Sequence, residues 1–119
     1  MNTASANIIL SRSTALRRAV RDARRHSKLP KKYADTADRC AAYLWASGWV
    51  GVQEQSTSQC VSEDELVQRR TKWATTELQR NGILPAGLLS WVLAFAFRYA
   101  MQAFLEYLVR QWVLKSHAA

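Results

Sequence analysis

An all-α chain is predicted: three short N-terminal helices followed by one long apolar C-terminal helix, read as transmembrane. Three observations predict it. Apolar residues recur at helical spacing between residues 14 and 80, and a Ser-x-x-Glu capping box opens the third helical segment. The last third reads ILPAGLLSWVLAFAFRYAMQAFLEYLVRQWVL from Ile83 to Leu114, with no breaker after Gly87. There is no internal repeat, low-complexity tract or long linker, and 119 residues leave room for one small domain plus one appended element.

Residues 1–12 lack periodicity and are expected to be flexible. The basic helical region spans 13–82. Its first helix covers about 14–27, capped by Ser13 or Thr14, with Leu16, Ala19, Val20 and Ala23 as its apolar stripe. Pro30 opens a second helix over about 31–47, because a proline in a first turn lacks only an N–H that would be unpaired anyway. Tyr33, Ala37, Cys40, Ala41 and Leu44 line its apolar face, and Gly48 ends it. Residues 49–61 read as a loop, with room for extended backbone at 49–52. Ser62-Glu63-Asp64-Glu65 caps the third helix, over about 63–80, with its acids where the helix dipole favours them. Leu66, Arg70, Trp73, Ala74 and Leu78 are expected inside it, and Asn81-Gly82 closes it.

The long helix is assigned to 83–115. Its polar residues Arg98, Gln102, Glu106 and Arg110 fall every four positions, so they stack on one face as a helix–helix contact or a pore lining. Trp91 and Trp112 lie roughly 31 Å apart at 1.5 Å per residue, against a hydrocarbon core of about 30 Å. With Lys115 they are the candidate membrane-interface anchors. Twelve strongly apolar residues supply roughly −6 kcal/mol of insertion energy, and Arg98 with Glu106 costs about as much. A solitary span nearly breaks even, so the helix is expected in a bundle. An isolated monomer fits worst, since three short helices do not cover a rod roughly 45 Å long.

Charge is unevenly placed. Of 17 Lys/Arg, ten lie in residues 1–48 against three Asp/Glu, giving that region most of the net +8. The candidates for contact with phosphate or lipid headgroups are Arg17, Arg18, Arg21, Arg24, Arg25, Lys31 and Lys32. Arginine forks suit bidentate phosphate contacts, which points to anionic membrane lipid or non-specific nucleic acid.

Catalytic signals are missing. His26 and His117 have no ligand-spaced neighbours, Asp35 and Asp38 sit among lysines and arginines, and no phosphate loop, nucleophile elbow or zincin motif occurs. Cys40 and Cys60 are too few for a disulfide framework or a zinc site. No enzyme, cofactor or metal is expected. No secretory signal is visible, whereas the Arg- and Ser-rich N-terminus has transit-peptide composition.

The expected function is a tail-anchored, single-pass membrane protein without catalysis, its N-terminus on the cytoplasmic or matrix side, acting as a homo-oligomer or accessory subunit of a larger complex. Three further layouts fit: a phage holin-like permeabilising protein, a soluble structural subunit of a virion or nucleoprotein particle, and a mitochondrial membrane-complex accessory subunit.

Overall fold

The computed structural model describes residues 1–49, 62–85 and 91–118, with the side chains of 91–94 and 114–118 left aside. Every regular element among them is helical: α1 (Thr3–Arg12), α2 (Thr14–Ser27), a 3-10 turn (Lys31–Tyr33), α3 (Ala34–Ala46), α4 (Glu63–Arg80) and α5 (Trp91–Ala118). α5 stands between α2 and α4, while α3 packs on α1, α2 and α4. The radius of gyration, 13.9 Å, matches the roughly 13.5 Å expected of a folded chain of this length.

The N-terminus departs from expectation. Residues 3–12 form α1 because Asn2 caps it, its Oδ1 accepting from Ser5 N at 2.8 Å, and because Ala6 and Leu10 bury against the rest. Two buried residues in ten leave little periodicity to read, so tertiary contact decides this helix. Ser13 both ends α1 and caps α2, accepting from Leu16 N at 3.1 Å. α2 buries Leu16, Ala19, Val20 and Ala23. Lys28 then takes a left-handed backbone, φ 53°, which lets Leu29 N reach back to Arg24 O. Pro30 introduces a 3-10 turn before α3, so the α-helix proper starts at Ala34. Gly48, at φ 76°, carries the chain out of α3 where side chains are disfavoured.

Ser62 Oγ accepts from Glu65 N at 3.1 Å and starts α4. This helix buries Val67, Arg70, Thr71, Ala74 and Leu78, leaving Leu66 and Trp73 half-buried. Gly82, at φ 71°, turns the chain so that Ile83 and Leu84 both donate to Leu78 O, at 2.9 and 3.2 Å. Ile83 and Leu84 therefore plug the core as a turn instead of opening the last helix. The loop expected over 50–61 and the helix start expected over 86–90 lie outside the described residues.

The transmembrane expectation finds no support: among the described residues no helix is long and apolar enough to cross a membrane. α5 has the length, 28 residues, but Arg98, Glu106 and Arg110 set charge along its middle. Its apolar side is covered by the chain itself. Met101, Phe104, Leu105, Leu108, Val109 and Trp112 are all buried in the common core, with α2 and α4 packed along α5. Trp112 lies inside, 6.3 Å from Trp45 and 6.0 Å from Trp49 between ring centres. The side chains of Trp91 and Lys115 lie outside the described residues.

At the centre of this aromatic cluster Arg70 is buried, its guanidinium 4.4 Å from the Trp49 ring centre and 5.0 Å from that of Trp73. Its Nη2 donates to Trp49 O at 3.3 Å. A desolvated cation on an indole face is worth up to about 2 kcal/mol, and an orphaned buried carbonyl costs about 1–3 kcal/mol. Arg70→Met is therefore expected to lower unfolding free energy by about 2–4 kcal/mol in urea titrations. A loss within about 0.5 kcal/mol, typical of a surface change, would contradict this account.

Candidate functional site

Two features stand out: a basic face on α2 and a groove beside α5. On α2, the helical periodicity that buries Leu16, Ala19, Val20 and Ala23 turns Arg17, Arg18, Arg21 and Arg25 outward, all exposed. Lys28, Lys31 and Lys32 extend the exposed basic surface towards α3. None of these seven side chains forms an ion pair among the described residues, where the salt bridges join Arg69 to Glu65, Arg80 to Glu77, and Arg110 to Asp64 and Glu106. Arg17 reaches only the Thr14 hydroxyl, at 3.2 Å. Arg24 differs from its neighbours, being half-buried and acting on Asp38 of α3.

Asp38 carries the electrostatic strain of that contact. Burial pushes its carboxyl above the ordinary carboxylate value, Arg24 pulls it down, and Asp35 pushes it up again. Cys40 is also buried, which raises its thiol to about 12. A thiol that stays protonated is a poor nucleophile, so it behaves as a small apolar residue.

The four-residue ladder is divided. Arg110 Nη1 bonds Asp64 Oδ1 across to α4 at 2.8 Å, and its Nη2 lies 3.9 Å from Glu106. Arg98, Gln102 and Glu106 line one wall of an open groove of about 970 Å³ between the start of α3, α4 and α5. Gln68, Thr71, Lys72, Thr75, Thr76 and Gln79 form its α4 wall. Tyr33 and Arg39 close the α3 end, with Tyr33 edge-on to Phe97 at 5.0 Å. Residue spacing gave no sign of Arg39, Lys72 or Met101 as groove residues, because the groove arises only from the tertiary arrangement of α3, α4 and α5.

His26 stacks on Tyr107 with ring centres 4.0 Å apart, joining α2 to α5, and Gln111 Nε2 donates to Ala19 O at 3.4 Å nearby. Among the described residues no cluster of His, Cys, Asp and Glu could hold a metal. Comparison with protein-family models, curated proteins and solved structures finds no match.

The raised Asp38 carboxyl has a signed consequence. The folded chain holds that proton more tightly than the unfolded chain, so the Asp38 contribution to stability falls as pH rises from the ordinary value of 3.8 through its raised value. Asp38→Asn removes the titration. The variant is expected to be more stable than the parent at neutral pH, with the advantage shrinking below the ordinary carboxylate value, as read from thermal unfolding at graded pH.

Proposed function

We propose that this chain is a non-enzymatic helical subunit of a nucleoprotein assembly that holds the phosphate backbone of nucleic acid against the outer face of α2. The observation that carries the reading is the exposed row Arg17, Arg18, Arg21 and Arg25, continued by Lys28, Lys31 and Lys32, with no acid paired to it among the described residues. Such a row raises the local potential and releases counterions when phosphates replace them. From Arg17 to Arg25 it runs roughly 12 Å along the helix, which faces about three to four phosphates of one strand at 3.4 Å each.

Nucleic acid is favoured over a lipid surface by what α2 lacks. An interfacial helix inserts apolar side chains beside its cations, whereas the apolar residues of α2 are committed to the core. The tail-anchored and holin-like layouts both require a spanning helix and are not carried forward. Phosphate contacts made by one helix face specify position and not sequence, so the binding is non-specific.

Fluorescence anisotropy with labelled duplex DNA and RNA across a salt series tests this. Affinity in the range of about 10⁻⁴–10⁻⁶ M near physiological salt is expected, falling steeply as salt rises. Replacing Arg17, Arg18, Arg21 and Arg25 together by Gln should reduce the salt slope by roughly three to four. Undiminished binding by that variant would sink the proposal. Tighter binding to anionic vesicles than to nucleic acid would replace it with a lipid function.

A further inference from the structure

The groove between α3, α4 and α5 is not used by the α2 face, with which it shares only Lys32. Its lining combines two chemistries. Ile83, Leu84, Phe97, Met101 and Leu105 make an apolar floor, while Lys32, Arg39, Lys72 and Arg98 bring four cations against the single carboxylate of Glu106. That carboxylate is already drawn towards Arg110, 3.9 Å away. None of the four cations forms an ion pair among the described residues. A concave site with low-dielectric walls focuses such a field.

Arg39 sharpens the assignment. It is half-buried, its Nη2 donates to the Thr36 hydroxyl at 3.3 Å, and its guanidinium lines the groove with no carboxylate paired to it among the described residues. The α4 wall competes little for an incoming acceptor, because its hydroxyls donate into their own helix: Thr71 to Val67 O at 2.7 Å, Thr75 to Thr71 O at 2.9 Å, Thr76 to Lys72 O at 3.0 Å. The groove runs roughly 16 Å from Gln68 to Gln79 at 1.5 Å per residue, and its volume falls within the roughly 300–1,000 Å³ of small-molecule sites.

We infer that this groove binds a single-chain amphiphile with an anionic head, of the fatty-acid class. The acyl chain lies against the partly exposed Phe97 and Tyr33 above the buried Met101 and Leu105, and the carboxylate meets Arg39 and Lys72. A neutral chain leaves the cations unanswered, and a cationic one is repelled. An acidic peptide would meet the cations but use little of the floor.

Dodecanoate below its micellar concentration is the probe, followed by titration calorimetry on the full chain. Saturable one-to-one binding is expected, at least tenfold tighter than dodecanol, with no binding of dodecyltrimethylammonium. Arg39→Gln should weaken it at least tenfold and the exposed Lys72→Gln several-fold, with circular dichroism showing both folded. The four-arginine α2 variant should bind dodecanoate as the parent does, which separates this site from the nucleic-acid face. Methyl-labelled methionine gives a second readout, since the chain has only Met1 and Met101: the Met101 signal should shift and the Met1 signal should not. Absence of saturable binding, equal affinity for the alcohol or the cationic analogue, an unmoved Met101 signal, or preference for an acidic peptide would each overturn the inference.

Discussion

A buried guanidinium organises this fold. Among the described residues, Arg70 is held in the interior by the ring faces of Trp49 and Trp73 and by the Trp49 carbonyl. Taking an arginine out of water is costly, so these partners must all be present together. The condition couples the end of α3 to the middle of α4. Trp112 then packs on Trp45 and Trp49, which brings the C-terminal part of α5 into the same cluster. Indole rings bury large areas with few torsions to freeze, so four of them close the junction of three helices economically.

From that junction the fate of the apolar C-terminal helix follows. A stripe of Met101, Phe104, Leu105, Leu108 and Val109 needs cover, and either lipid or protein can supply it. Here α2 docks through the His26–Tyr107 stack and the Gln111 bond to Ala19 O, while α4 docks through Arg110 and Asp64. Among the described residues the sector between those two helices stays wet, with Phe95 and Tyr99 70% and 74% exposed near its start. The ladder from Arg98 to Arg110 occupies this sector and the adjoining groove wall.

This explains which features were legible in the sequence. Helix-specific signals with a local cause survive: the Ser13 and Ser62 caps, the α2 stripe, the left-handed Gly48 and Gly82. Arg70 could be placed inward because its register matches Ala74 and Leu78. The destination of α5 could not, because a polar residue every fourth position serves equally as a seam between spans or as the wet edge of a packed helix. Deciding between them required knowing how closely α2 and α4 flank it, which no local signal in the sequence gives. The groove was illegible for a related reason. Thr71, Thr75 and Gln79 read as an ordinary polar face until α3 and α5 are placed around them.

The charges show how packing turns composition into direction. α4 opens with Glu63, Asp64 and Glu65, stabilising its own N-terminus, and Asp64 also holds Arg110. These acids are the densest on the chain, yet α5 stands between α4 and α2, so they do not neutralise the arginines of α2. The fold thus keeps the α2 row apart from those acids, at some cost in self-repulsion. An incoming polyanion would be turned by that field before contact, drawn to the α2 face and away from the start of α4. Screening over a Debye length of about 8 Å at physiological salt confines the effect to close approach. Orientation at close range is what a backbone-binding surface needs, since its contacts select a pose and no base sequence.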